Sequence, residues 1–554
     1  MADTTGHLAL ANKLRGGYYT PPALAEWLCR WAIRRPTDRV LEPSSGDGVF
    51  LVEACKRLLS LGATRPDAMR GVRGVEIAHE EARKARARLK EVLGAGPNGR
   101  VVRSDFFQWM DRTSHAFDCA VGNPPFIRYQ SFPEPSRSLA MRMMQRHGLR
   151  PNKLTNIWVP FVAGAAGRLV EGGRLAFVVP AELLQVTYAS QLRMFLASHF
   201  SKIHLFACNH LFFENAEQEV VLLLADGYDP NARKANACLI EMVATDSIDD
   251  ILATEPNHRE PDQYCTLDHS TEKWLKYFLK PKEIGFMRSL KTNTALTCLA
   301  THAEVDIGVV TGRNEFFVID RPTVDSFHLG EYTMPLLGRS SQLRGAAIDR
   351  RQWQALADEG QKVFLLRIEA GDDARLTAGA KRYVARGEAA GHQRGYKCSI
   401  RSPWYRVPAV WIPDCFFFRQ IYDFPRVVVN DAQATSTDTI HRMRCKSDRE
   451  AVVTNLYTHL AAASAEIEGR SYGGGVLELE PTEAERLLMP RHLQPGMPVA
   501  EIDRLVREGR MTDVLLENDR LVLQAAGLSK ADCRLLKQIW VRMRDRRRSR
   551  RRGR

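Results

Sequence analysis

The chain predicts an α/β fold: a mostly parallel sheet with one antiparallel strand, then an α+β domain and a helical, arginine-rich C-terminal segment. Three observations carry this reading. Short β-rich runs alternate with longer helical ones as far as residue 225, the pattern of a sheet covered by helices. Glycine turns and acidic residues fall at the ends of several of those runs, where open α/β sheets bind ligands. Beyond about residue 291 the style changes to irregular aromatic and β-branched runs with fewer helical stretches.

Strands are expected at 39–41, 72–76, 100–103, 117–121, 174–179, 202–207 and 219–225, with a last one near 237–243. Residues 79–91 read as a charged surface helix. Residues 154–170 place Ile157, Phe161, Ala165 and Leu169 on one apolar helical stripe. No helix separates the runs at 202–207 and 219–225, so the sheet is expected to end antiparallel. Residues 246–290, punctuated by Pro256, Pro261 and Pro281, read as a linker. An α+β domain follows over 291–495, with helices near 350–359 and 449–466, and a helical segment with a basic tail over 496–554.

At 554 residues the chain is long enough for two or three cores, and 44% hydrophobic with 26% charged residues suits a globular protein. No apolar run approaches the roughly 20 residues that cross a bilayer. No secretory leader is evident, and eleven cysteines form no CxxC pair, so neither a membrane, a disulfide framework nor a metal site is expected. A reducing cytoplasm is the expected location. The formal charge of +14 suggests a polyanionic partner, although residues 541–554 alone hold nine arginines against one aspartate. That tail reads as a solvated segment or a sequence-independent phosphate contact.

Chemistry is concentrated at four strand ends. The run 117–122 closes in Asn123-Pro124-Pro125-Phe126. Asn123 offers a side-chain carbonyl, Pro124 a backbone carbonyl and Phe126 a ring, which together suit a planar amine such as a nucleobase amino group. The first strand runs into Glu42-Pro43-Ser44-Ser45-Gly46-Asp47-Gly48, where Gly46 and Gly48 let backbone approach a ligand, or make a plain structural turn. This turn carries neither a full G-x-G-x-x-G nor a Gly-Lys-Ser/Thr, which argues against a dinucleotide fold or a P-loop there. Glu76 ends the second strand and can accept ribose hydroxyls; Asp105 follows the third and can accept from an adenine amino group. Each acid alone also reads as an N-cap or loop solvator, but both at successive strand ends favour a ligand.

The order Gly17-Tyr18-Tyr19-Thr20-Pro21-Pro22, residues 40–51, Glu76, Asp105 and Gly122–Phe126 resembles class I, S-adenosylmethionine-dependent DNA methyltransferases with a Rossmann-like sheet. More narrowly it resembles the gamma class of adenine-N6 enzymes from restriction–modification systems, the TaqI-like group. The resemblance covers residues 16–225 closely and extends loosely through 306–319, 469–479 and the arginine-rich end. It implies a catalytic domain over 1–245 and a target-recognition domain over 291–495. Thr20 would cover the methionine end of S-adenosylmethionine; Glu42, Pro43, Ser44, Ser45, Gly46, Asp47 and Gly48 would wrap its amino acid moiety. Glu76 would hold the ribose, Ile77 the adenine face, and Asp105 with Phe106 the adenine edge, with Pro125 on the cofactor side. Asn123 and Pro124 would bind the target amine, with Phe126 and Phe213 stacking on a flipped base. The family's usual tyrosine is Phe126 here, which keeps the stacking face and loses a hydroxyl.

The implied partner is double-stranded DNA, with a separate restriction endonuclease as an optional one; modification without cleavage is expected, since the cofactor motifs begin by Gly17. Protein glutamine, RNA or cytosine-N4 methylation and a non-catalytic DNA-binding relative are the competing readings. The length of chain after residue 225 favours DNA. His199, His204 and His210 lack metal-ligand partners at suitable spacing, and the aromatic–basic residues Trp404, Tyr405, Arg406, Phe416, Phe417, Phe418 and Arg419 fit a core as well as a DNA surface.

Overall fold

The structure, a computed structural model, describes residues 20–549 apart from 95, 97–98, 128, 152–154, 209–218, 232–237, 246, 255–272, 370–375, 473 and a few side chains beside these gaps. The chain divides into two compact units, Met1–Ile284 with Ser549–Arg554, and Gly285–Arg548.

The first unit is built on an eight-stranded sheet of β1 (Val40–Glu42), β2 (Val72–Glu76), β3 (Val101–Arg103), β4 (Phe117–Gly122), β5 (Leu169–Pro180), β6 (Phe200–Cys208), β7 (Val220–Tyr228) and β8 (Leu239–Thr245). Its order is β3-β2-β1-β4-β5-β7-β6-β8, with β1 to β5 all parallel. The strands run apolar on both faces because helices cover both. Val220 to Ala225 are all buried, as is every residue of β1. The direction of chain progression reverses between β1 and β4, and a crevice opens beyond the carboxyl ends of strands at such a switch point.

β7 is antiparallel to both neighbours, but it lies between β5 and β6 instead of ending the sheet. β8 then pairs parallel with β6 as the edge strand. The helix expected at 154–170 is Trp158–Ala166, and Leu169 belongs to β5. Pro160 sits in its first turn, where the missing N–H costs nothing, and Gly167 caps its end. Within 246–290 lie the helix Ile248–Leu252 and the 3-10 turn Trp274–Phe278, whose Trp274 and Leu275 are buried.

The turn after β1 depends on one glycine. Gly48 has φ +87°, and a Cβ there would come within 2.8 Å of the Ala85 backbone in the helix His79–Leu93. Gly48→Ala is expected to cost about 1–3 kcal/mol through strain and the displaced helix. Chemical denaturation checks this, and cofactor affinity should fall with it.

The second unit holds a five-stranded sheet in the order Ala303–Asp306, Ile440–Cys445, Cys415–Phe418, Val427–Asn430 and Ala347–Ile348. Phe416 and Phe417 are fully buried in it and Arg419 pairs with Glu478 and Glu480, so these residues are core and scaffold, not a DNA surface. The helix expected at 449–466 is two, Arg449–Leu456 and His459–Glu468, because Thr458 leaves the helical region to cap the second. Early and late segments pair where Leu296–Cys298 meets Leu488–Pro490.

The helix Lys530–Ser549 carries part of the arginine run, and there the expectation of a solvated tail fails. Arg547 is 1% exposed. Its guanidinium pairs with Glu466 at 2.6 Å and donates to the carbonyls of Ile421, Tyr422 and Gly475. Arg544 lies over the Trp540 ring at 4.4 Å and pairs with Asp423. Arg547→Ala leaves Glu466 buried and uncompensated, an expected loss of about 3–5 kcal/mol that urea denaturation can measure.

Candidate active site

Four parallel strand ends converge on one cavity of about 280 Å³. β1 delivers Glu42 and the turn Pro43 to Asp47; β2 delivers Glu76 and Ile77; β3 delivers Asp105 and Phe106; β4 delivers Asn123 and Pro125. Thr20, just before the helix Pro22–Ala32, completes the wall. Thirteen residues picked from separate stretches of sequence thus share one lining. Gly48 stands behind the wall as the residue that starts the helix Val49–Ser60, and Pro124 is buried beside it. Phe126 packs partly buried against the apolar core, and Phe213 lies outside the described residues.

Two buried polar atoms face no protein partner. Glu42 Oε2 and Ser45 Oγ have no hydrogen bond among the described residues, although both side chains line the cavity. Burial, then the nearby Asp47 and Glu76 carboxylates, push the Glu42 carboxyl well above the usual range. Burial raises Asp47 as well, against the pull of Arg88, which it meets at 2.8 Å. A cationic ligand relieves such a cluster.

Glu76 is already engaged. Its Oε2 accepts from the Gly46 amide at 2.8 Å and its Oε1 from the Ala78 amide at 2.7 Å. Each carboxylate oxygen has a second lone pair, so these bonds aim the group and leave it able to accept a diol. Burial raises its carboxyl too, against those two amide bonds. Gly46, at φ +50°, has nothing within 4 Å of where a Cβ would stand, so backbone there is open to a ligand. Asp105 caps a helix and also lines the cavity. Its Oδ1 accepts from Phe107 and Gln108 at 3.0 Å at the start of the helix Phe106–Arg112.

Ile77 is 62% exposed, an unusual state for an isoleucine beside a cavity and suited to one face of a planar ring. Phe106 stacks on Phe161 at 5.2 Å, forming a flat apolar wall. Sequence reasoning missed Phe132, Pro133 and Ser136, which enter from the segment after Phe126, and took Phe161 for core alone. The apolar stripe at 154–170 was the signal for Phe161; no local pattern marked the other three.

The end of β4 is tied to Thr20 and to the turn after β1 by hydrogen bonds. Asn123 Nδ2 donates to Thr20 Oγ1 at 3.3 Å, and Ser44 Oγ donates to the Asn123 carbonyl at 3.4 Å. The Pro124 carbonyl accepts no hydrogen bond among the described residues. No cluster of metal-ligating side chains and no helix long and apolar enough to span a membrane is found among them either. His204 pairs with Glu241, and His199 stacks on Phe195 and Tyr228, both ordinary packing roles. An orphaned carboxylate, an open glycine backbone, an aimed diol acceptor and two apolar walls fit an adenosine-bearing cation.

The chain's similarity to known proteins agrees. The Eco57I restriction-modification methylase model matches residues 53–212, and the model of the C-terminal domain of type II methyltransferase M.Eco57I matches 271–523. Type II methyltransferase M.AccI of Acinetobacter calcoaceticus is 23% identical over 494 residues, covering 85% of this chain and 84% of that protein. M.BstVI of Geobacillus stearothermophilus is 25% identical over 56% of this chain and 61% of its own length. M.TthHB8I of Thermus thermophilus reaches 32% identity, over 33% of this chain and 38% of its own length. Among solved structures, the type IIL restriction-modification enzyme MmeI in complex with DNA aligns at a TM-score of 0.55 and 12% identity, covering 98% of this chain and 78% of that one. The first matched region holds Glu76, Asp105 and Asn123–Phe126, the second covers most of the second unit, and together they place this chain among the Eco57I-type restriction–modification methylases.

Proposed function

We propose that the protein is a gamma-class, site-specific DNA methyltransferase that uses S-adenosylmethionine to methylate the N6 amine of an adenine flipped out of duplex DNA. It would act in the cytoplasm, with residues 1–245 catalytic and 291–495 recognising the target. One observation supports the reading: Asn123, which opens the Asn-Pro-Pro-Phe motif, lines a carboxylate-bearing cavity and is hydrogen-bonded to Thr20 of the same lining.

S-adenosylmethionine supplies a methyl group activated on a sulfonium. Glu42 and Ser45 are the partners for its ammonium group, and the Gly46 turn approaches its amino acid moiety. Glu76 accepts from the ribose, while Ile77 and Phe106 bracket the adenine and Asp105 meets its edge. On the other side, Asn123 Oδ1 and the Pro124 carbonyl each accept one hydrogen of the target amine. That draws the nitrogen lone pair out of conjugation and aims it along the transfer axis. Phe126, with Phe213 as the second stacking face, holds the extruded base. The bond from Asn123 Nδ2 to Thr20 Oγ1 occupies the nitrogen end of the amide, which supports Oδ1 as the acceptor for the base.

Tritium transfer from labelled S-adenosylmethionine to unmethylated duplex DNA tests the reaction. Mass spectrometry of the modified nucleosides then reads the base. N6-methyladenine is the expected product; N4-methylcytosine, or label in RNA or protein alone, refutes the assignment.

A further inference from the structure

In the second unit, two apolar side chains stand in solvent on a rigid mount. Tyr396 is 75% exposed and Ile400 is 65% exposed, a helical turn apart on and just after the short helix Tyr396–Ser399. Side chains four residues apart share a face. The mount is firm: Cys398 is fully buried in the unit's core, and Arg401 donates to the carbonyls of Thr311 and Val310 at 2.7 and 2.8 Å. The chain also packs closely against the turn at Gly312, where a Cβ would come within 2.6 Å of Lys397 Cβ. Two large apolar side chains held this firmly in water, beside cations unpaired among the described residues, form a surface suited to contact with a partner.

The surrounding charge names the partner. Arg313, Arg394 and Lys397 are exposed and make no ion pair among the described residues. The Lys397 ammonium lies 5.9 Å from the Tyr396 ring centre, and the Arg313 guanidinium lies against Gly395. Unpaired cations around an apolar tip complement a polyanion whose bases sit between two rows of phosphates.

We propose that Tyr396 and Ile400 form a wedge that enters the DNA duplex and meets base edges, while Arg313, Arg394 and Lys397 take the flanking phosphates. This rests on the DNA methyltransferase reading above and assigns part of its sequence recognition to one small face. The phosphate contacts set affinity without regard to sequence; the wedge discriminates, because only some base steps open easily or present a methyl group to an apolar side chain.

The test compares full-length wild type with Tyr396→Ala/Ile400→Ala and Arg394→Ala/Lys397→Ala double variants. Leu516→Ala, an exposed apolar residue on another helix of the same unit, serves as the control. Single-molecule sequencing of DNA from expressing cells reads the methylated motif, and fluorescence anisotropy on a duplex carrying that motif reads affinity against salt. The wedge variant is expected to bind the duplex about tenfold or more weakly and to methylate a more degenerate motif. The basic variant is expected to weaken binding to every duplex and to lower the slope of log Kd against log salt by about 2. Unfolding midpoints matching wild type exclude misfolding, since all four side chains are exposed. Unchanged motif, affinity and salt slope in both double variants overturn the inference. Should wild type bind duplex DNA yet transfer no methyl group, the proposed function fails, while the binding arms still decide this one.

Discussion

Asn123→Ala is expected to abolish nearly all methyl transfer while leaving S-adenosylmethionine binding close to wild type. The alanine removes one of the two acceptors proposed to hold the amine in its reactive geometry. Losses of a single transition-state hydrogen bond of this kind run to about 10²–10³-fold in rate. Cofactor affinity is expected to be spared because the acids proposed to hold the cofactor, Glu42, Glu76 and Asp105, come from the ends of β1, β2 and β3, whereas Asn123 follows β4. Thr20→Val supplies the internal comparison: it keeps the acceptor and removes only the oxygen that orients the amide, so a smaller fall in rate is expected. Single-turnover kinetics at saturating cofactor, with calorimetry for cofactor Kd, separate the two effects. An Asn123→Ala enzyme within threefold of wild-type rate contradicts the assigned role.

Glu42→Gln should trade cofactor affinity for stability. A buried charged hydrogen-bond partner removed from one side of a complex costs about 2–4 kcal/mol, a roughly 30- to 700-fold weaker Kd. The ligand-free variant, by contrast, should be more stable than wild type by about 1–3 kcal/mol, because a buried carboxylate with an unpartnered oxygen is replaced by a neutral amide.

The pH dependence follows from the same group. Its carboxyl is raised in the folded state by burial and by Asp47 and Glu76, so the folded protein holds a proton that the unfolded chain releases near pH 4. The contribution to stability is therefore full below that pH and is lost as pH rises through the folded value. A bound cation offsets the charge that deprotonation creates, so the rise in unfolding temperature on adding cofactor should grow in wild type as pH rises through the folded value. Glu42→Gln should flatten that growth. Calorimetric scans with and without cofactor decide it, and a variant less stable than wild type without ligand would sink the argument.

Strand ends were readable because their signals are local. Glu42, Glu76, Asp105 and Asn123 each close an apolar run, and parallel strands put such positions on one side of a sheet whatever their separation in sequence. What stayed hidden depends on partners far along the chain. The position of β7 between β5 and β6 is a choice about order across the sheet, and no pattern within either strand encodes it. Leu169 fitted a helical stripe, yet it begins β5, because period alone cannot see where the chain must turn to reach the sheet. Composition likewise placed Arg547 in solvent, since one carboxylate at Glu466 outweighs the character of its neighbours. Ser136 and Phe132 reach the cavity by packing, and nothing in their own neighbourhood announces it.

The second unit is stitched shut by residues that reach the ribosome's exit late. Leu296–Cys298 waits for Leu488–Pro490 to complete its two-stranded ladder, and Glu466 waits for Arg547. At elongation rates of about 5–20 residues per second the interval from Leu296 to Arg547 is roughly 10–50 s. The first unit's eight strands have all emerged before that interval begins. During synthesis, then, every strand of the sheet that carries the proposed cofactor site is made while the half proposed to choose the target is still incomplete. Ribosome-bound chains halted before Glu466 would carry a cofactor site with no finished means of selecting DNA.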